Sequence, residues 1–205
     1  MPLPLIFAGI ALVEACEFAM VAIVGTIGVV AVKETIDERA KTNTRAVSIT
    51  KSTKPCDKCP AIPKVTPEYE LFNGNDDNLY YQSRICGTSI IKNNDGKKNI
   101  TEYAFRDILL LNSEKKVKFD GWKPELCLFL EAKGHYDQFF NKENRPFAWF
   151  SGQNEIEEQA KRQQNVIDIC MKIPKCHWHF MEPVSAGYFQ KRFLIYPDLT
   201  INYTP

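Results

Sequence analysis

Apolar and polar residues change places at almost every step through VKFDGW, and LCLFLEAK, a few residues on, is a nearly unbroken apolar run. A period of two predicts a strand, and a short apolar run bounded by turn residues predicts a buried one. GWKPEL, with its Gly and Pro, reads as the connection between them. Helical spacing appears twice. Residues 78–86 place Leu79, Gln82, Ile85 and Cys86 on one face, and residues 153–172 carry the stripe Ile156, Ala160, Gln163, Ile167 and Cys170, with Pro174 just past the end. Residues 100–111, after a turn at Asn93-Asn-Asp-Gly96, alternate enough for a first strand, and although EYAFRDILLL would also suit a helix, a strand is preferred because the two that follow need a partner. CHWHFMEP and YFQKRFLIYPDLTINYTP read as two closing strands, with a turn near Ser185-Ala-Gly187. The order helix, three-strand meander, helix, strand pair predicts a mixed α/β layer fold.

Three polar residues interrupt the two apolar strands: Asp120 at the end of the first, Glu131 and Lys133 at the end of the second. Alternate strand residues share a face, so Glu131 and Lys133 point the same way, with Ala132 opposite. A hairpin would bring Asp120 beside them. Two buried carboxylates repel unless a cation lies between them, and a hard ion such as Mg²⁺ suits oxygen ligands. The plainer reading is that Asp-Gly is a turn dipeptide and E-x-K a cross-strand surface pair.

Asp120 followed by Glu131-Ala-Lys133 resembles the PD-(D/E)xK motif of restriction-endonuclease-like nucleases. FDGW, LEAKGHYDQFF, QAKRQ and the WHF segment, with the earlier YQSRI and ITEY, resemble the fifth restriction-endonuclease-fold class of bacterial polymorphic toxins. The resemblance spans roughly residues 56–205, and LEAKG-x-YD is its most specific piece. Its one departure is Phe119-Asp120 where the motif has Pro-Asp.

The resemblance implies a restriction-endonuclease-like core, a central mixed sheet flanked by helices, over residues 76–205. It implies phosphodiester hydrolysis of DNA with Mg²⁺ or Mn²⁺ held by Asp120, Glu131 and the Ala132 carbonyl, and with Lys133 positioning or deprotonating water and stabilising charge. It places the helix carrying Gln82 beside the metal centre, where Gln82 could orient the site or a phosphate, with capping of a backbone group as the equal alternative, and it places the helix carrying Gln159 and Gln163 on the border of the active site. Two glutamines one turn apart and aimed at a sheet are costly unless they bind something. Lys161, Arg162 and Lys118 are candidate phosphate contacts, with a solvated face as the default for the first two. His135 and Asp137 could assist, although Tyr136, Phe139 and Phe140 packing this loop over the sheet is the blander reading. Glu102 is a possible accessory acid or a strand-end surface residue.

Residues 3–32 are apolar apart from Glu14 and Glu17, with no Lys or Arg before Lys33, so the charged front of a signal peptide is missing. Residues 1–36 therefore read as a helical membrane, translocation or chaperone-bound segment, or as a buried helix. Basic residues dominate positions 33–58, so a spanning segment would leave the C-terminal part in the cytoplasm. Residues 37–75 read as linker and loop.

The toxin resemblance implies a type VI secretion effector made in the bacterial cytoplasm, carried by a chaperone or adaptor and spike proteins, and acting on DNA in a competitor's cytoplasm. It also implies a cognate immunity protein. The rivals are a membrane-active effector whose first residues are the toxic part, and an inert nuclease-fold binding module.

The formal charge of +1 argues neither for nor against nucleic acid and leaves binding to a local patch. Seven cysteines with irregular spacing do not resemble a secreted disulfide framework and suggest a reducing compartment. Cys56-Asp-Lys-Cys59 would bind zinc only if Cys176, His177 or His179 completed the set. A tight turn with packed thiols or an occasional disulfide is the favoured reading. His177 and His179 share a face and more often include a satisfied surface histidine than a metal pair.

Overall fold

The computed structural model describes residues 56–110 and 113–205. The apolar segment and most of the predicted linker lie outside the described residues. Among the described residues no helix is long and apolar enough to cross a membrane.

Strand β3 (Lys98–Arg106) pairs antiparallel with β1 (Val65–Leu71) on one side. On its other side it pairs with β2 (Ile90–Lys92) and β4 (Lys116–Phe119). The Asn93–Gly96 turn joins β2 to β3 as expected, closed by Gly96 N–H donating to the Asn93 carbonyl at 3.0 Å. β3 stops short of the predicted residue 111, because Asp107 accepts the Leu109 N–H at 2.9 Å and turns the chain. A strand also forms where linker and loop were expected: β1 is half-buried to exposed along its length and carries Pro67. An edge strand tolerates both features; Val65, Pro67, Tyr69 and Leu71 alternate with Thr66, Glu68 and Glu70, but the Thr-, Lys- and Pro-rich surroundings obscure that pattern.

The second sheet runs in the order β5 (Gly121–Lys123), β6 (Leu128–Lys133), β7 (Lys175–Phe180), β8 (Leu199–Tyr203). β5 and β6 are the expected antiparallel hairpin. The predicted single strand through VKFDGW instead breaks at Asp120, with β4 joining the first sheet and β5 the second. β6, β7 and β8 are parallel. Parallel neighbours need a crossover, and helices supply both. α2 (Gly152–Ile169) joins β6 to β7 across an aromatic loop, and α3 (Pro183–Arg192) joins β7 to β8.

The two closing strands form as β7 and β8, but the predicted turn at Ser185-Ala-Gly187 and the first part of the predicted second strand are replaced by α3. Pro183 occupies its first turn, Ser185 and Ala186 are buried within it, and Gly187 is simply helical. The earlier helix, α1 (Asp76–Cys86), starts on an Asn75 cap and ends at Gly87, which takes φ +66°.

The layers follow from side-chain periodicity. Cys176, Trp178 and Phe180 face one side of the second sheet and are fully buried. Phe189 of α3 stacks on Phe180 at 5.2 Å, and Trp178 donates to Gln163 of α2. α1 covers the opposite face: a Cβ on Gly121 would lie 2.9 Å from that of Cys86, so helix and sheet approach closely there. A mixed sheet flanked by helices results, as anticipated.

Candidate active site

Asp120 sits at the bend where the chain leaves one sheet for the other. No proline fixes that bend. Phe119, just before it, stacks on Phe129 of β6 with ring centroids 3.9 Å apart, and Trp122 packs on the same ring at 4.3 Å. The stack clamps the bend against β6, so the Asp120 carboxylate reaches its backbone: Oδ2 accepts the Ala132 N–H at 2.7 Å. Gln82 of α1 donates to Oδ1 at 3.0 Å.

Glu131 and Lys133 share a face, as expected, and are buried. The Lys133 ammonium donates to Glu131 Oε1 at 2.6 Å and to Gln159 Oε1 at 2.8 Å. The Gln159 amide donates back to Glu131 Oε1 at 2.7 Å. Gln163 donates to Glu131 Oε2 at 2.8 Å while its own oxygen accepts from Trp178 Nε1 at 2.8 Å and Cys176 Sγ at 3.5 Å. Burying this much polarity is tolerable only because each group is partnered. Gln82 and Asp120 form one hydrogen-bonded group, Glu131, Lys133, Gln159 and Gln163 another, and the backbone at Ala132 joins them.

Asp120 keeps part of its surface accessible although protein packs densely around it. Burial, and then the nearby Glu131 charge, push its carboxyl well above the ordinary range of about 3.8, against the lowering effects of Lys133 and the Ala132 N–H. Burial opposes the charge on Lys133, yet Glu131 outweighs it and raises the ammonium's pKa. Lys133 also sits 4.9 Å from the Trp178 ring, a cation–π contact. Sequence reasoning takes Cys176 only as a possible zinc ligand and assigns Trp178 no role, although the alternation around His177 and His179 puts both on one face.

Other candidates take different places. Asp137 accepts the Val184 and Ser185 N–H groups at 3.0 and 2.7 Å and so caps α3. Glu182 accepts the Asp137 N–H at 2.6 Å and bonds His135 Nδ1 at 2.9 Å, raising the imidazole's pKa. His177 and His179 pair with Leu130 and Ala132 in the register, on the face away from Glu131. Burial lowers both, His179 to about 4. Cys59 is disulfide-bonded to Cys127, and Cys56, Cys86, Cys170 and Cys176 are free. The zinc reading is set aside, because Cys59 is consumed and Cys176 is buried against Gln163.

Lys118, a candidate phosphate contact, has internal partners instead: Glu70, with Glu102 at 3.6 Å and Glu68 at 3.8 Å. Burial raises the Glu102 carboxyl. Lys161 is exposed beside Glu158 at 3.8 Å. Arg162 is exposed, has no ion-pair partner among the described residues, and lies on the wall of two clefts. The first, about 370 Å³, is lined by Lys133, Gln159, Tyr136, Phe139 and Phe150. The second, about 380 Å³, is lined by Lys116 and Lys118.

The donors suit a hard divalent ion. No group of three or more Asp, Glu, His or Cys side chains gathers among the described residues, and the candidate side-chain donors are the Asp120 and Glu131 carboxylates. Mg²⁺ commonly binds through one or two carboxylates, keeping waters and substrate phosphate as its other ligands. An acid held above its ordinary range by burial and then by a second acid is one that a cation between them would relieve.

A two-faced α/β sheet with an Asp bend followed by Glu-x-Lys on the neighbouring strand defines the restriction-endonuclease fold. The sequence model of the family described as restriction endonuclease fold toxin 5 matches residues 78–183, from the first turn of α1 to the first residue of α3. The chain belongs to that family of polymorphic toxins. No curated protein and no solved structure matches it.

Proposed function

We propose that the chain is a secreted antibacterial effector that hydrolyses phosphodiester bonds in DNA, using Asp120, Glu131 and Lys133 with Mg²⁺ or Mn²⁺. The observation that carries this reading is the Lys133 ammonium, buried and fixed between Glu131 and Gln159 at one end of an open cleft. A binding module gains nothing from enclosing two carboxylates and a cation at such desolvation cost.

Asp120, Glu131 and the Ala132 carbonyl would hold the ion. It would supply Lewis-acid chemistry, neutralising charge on the phosphate and acidifying water. Lys133 keeps its proton at neutral pH, because Glu131 holds its pKa high. Its role is therefore to stabilise charge on the phosphoryl oxygens rather than to act as the base that sequence reasoning also allowed. Gln159 and Gln163 orient Glu131, each donating to one of its oxygens. Gln82 and the Ala132 N–H do the same for Asp120. Arg162 supplies a cation for substrate phosphates along the cleft.

The full chain is tested against plasmid DNA and against RNA, with and without Mg²⁺. Metal-dependent loss of plasmid supports the reading; intact DNA and RNA under all conditions reject it. Action in a competitor's cytoplasm, carriage by the type VI apparatus with its chaperone, and a cognate immunity protein belong to the same proposal. Deleting residues 1–32 should abolish delivery between cells while sparing toxicity on direct cytoplasmic expression, and unchanged delivery would sink that part. If instead the segment were the poison, membrane potential would collapse while DNA stayed whole.

A further inference from the structure

A series of aromatic rings runs from the surface into the cleft beside Lys133, and the chemistry above makes no use of its outer end. Phe147 and Trp149 stack nearly parallel, 11° apart, with centroids at 5.4 Å. Trp149 meets Phe139 edge-on at 6.0 Å, and Phe139 stacks on Phe150 at 4.3 Å. Tyr136 closes the series edge-on to Phe150 at 6.5 Å. Tyr136, Phe139 and Phe150 all line the cleft that holds Lys133, Gln159 and Arg162.

Trp149 is the exception among the three tryptophans. Trp122 and Trp178 are 8% and 0% exposed, whereas Trp149 is 66% exposed. A surface indole stacked on a phenyl ring keeps a broad apolar face in water, and that gains nothing for the fold. Beside a cleft that carries Lys133 and Arg162, such a ring pair fits a planar, polar-edged group attached to an anionic chain. Nucleobases are such groups: every base has a π-face, so stacking on aromatic side chains tolerates any sequence. In a duplex those faces are covered by neighbouring bases. Only an unpaired strand or an extruded nucleotide offers them.

We propose that Phe147 and Trp149 form a base-stacking platform, and that the cleft takes a strand with unpaired nucleotides, its phosphates running toward Arg162 and Lys133. Glu155, the one carboxylate among the described residues that line that cleft, disfavours phosphate on its own stretch of wall and so helps set the strand's path. The inference rests on the nuclease reading and adds the state of its substrate. Single-stranded DNA and RNA share the chemistry, so both are tested.

The full chain, kept inactive by a chelator, is titrated with oligothymidine, oligouridine and a DNA duplex of equal length. Tryptophan emission and the anisotropy of labelled strands are read together. With the other two indoles buried, saturable quenching by the unpaired strands reports on Trp149. Trp149→Ala should lower the ratio of single-strand to duplex affinity about tenfold, the scale of one lost base stack, and Trp149→Phe should recover most of it. Whichever unpaired strand shows the larger loss identifies the source. Strands that bind and, with Mg²⁺, are cut equally well by Trp149→Ala overturn the platform while leaving the nuclease intact. A chain that neither binds nor cuts any nucleic acid fails both readings.

Discussion

The Ala132 N–H donates to Asp120 Oδ2 at 2.7 Å, tying the residue where the chain changes sheets to the strand that carries Glu131 and Lys133. Three residues scattered through the sequence become one site by this contact. It also stabilises the charged form of Asp120, and it is not enough, since burial and Glu131 still hold the carboxyl high.

That imbalance predicts a trade between stability and activity. An acid whose folded-state pKa exceeds its unfolded value binds its proton more tightly when folded. Its contribution to stability is therefore full below about 3.8 and is lost as pH rises through the raised value. Near pH 7, Asp120→Asn should stabilise the metal-free protein: an amide oxygen still accepts from Ala132, and a rotated Gln82 amide can accept from the new NH₂. A rise of a few degrees is expected, since roughly 1 kcal/mol moves Tm by about 2–4 °C in a chain of this size. The same variant should lose cutting. Thermal melts with and without Mg²⁺ check this, because the ion should raise Tm for the natural chain and not for Asp120→Asn.

Gln163 is predicted to matter more for stability than its neutral side chain suggests. Gln163→Leu keeps the volume but strips Glu131 Oε2 and Trp178 Nε1 of their partners deep in the protein. Each orphaned polar group costs about 1–3 kcal/mol, so a total loss of roughly 3–5 kcal/mol is expected in denaturant melts. Gln159→Leu should cost less, because Gln159 is only half-buried and Lys133 still bonds Glu131.

This glutamine pair was legible in the sequence because its spacing falls on an otherwise apolar stripe, where polarity needs a reason. Glu131 and Lys133 were legible for the same cause. The partners that complete the network were not. Trp178 and Gln163 meet across a parallel crossover whose existence depends on α2 packing, which no local pattern encodes. α3 was misread because FLIY and FQ look extended and Ser-Ala-Gly looks like a turn, whereas the parallel pairing of β7 with β8 requires a helix between them. β1 reads as loop because Pro67 and the Thr-, Lys- and Pro-rich stretch around it obscure the alternation of Val65, Pro67, Tyr69 and Leu71 with Thr66, Glu68 and Glu70, whose glutamates pair with Arg106 and Lys118.

Lys133 is predicted to act as a fixed cation. With its pKa raised, it stays protonated through neutral pH, so the rate should show no falling limb there from loss of its proton. The limb that does appear should rise with pH above the ordinary carboxylate range, as Asp120 ionises. Lys133→Met should abolish cutting, a loss on the order of 10²–10³ for one stabilising donor. It should also destabilise the fold by about 3–5 kcal/mol, because Glu131 is left buried without its cation. A pH–rate profile and a denaturant melt separate the two effects, and full activity in Lys133→Met would remove the residue from the mechanism.

Cys59 and Cys127 pair across 68 residues, joining the segment before β1 to the turn between β5 and β6. Cysteine count and spacing could not reveal this, since the partners are far apart and four thiols remain free among the described residues. Closing a loop of that length removes unfolded-state entropy worth about 4 kcal/mol. The bond anchors the end of the hairpin opposite Glu131 and Lys133, so its loss should lower Tm while leaving the polar network formed. Reductant should therefore lower the Tm of the natural chain and leave that of a Cys59→Ser, Cys127→Ser double variant unchanged. Cutting at low temperature should survive in both. A chain entering a reducing cytoplasm would then work with less stability than it had outside, and comparing Tm with rate in the same reduced sample tests whether the site withstands that loss.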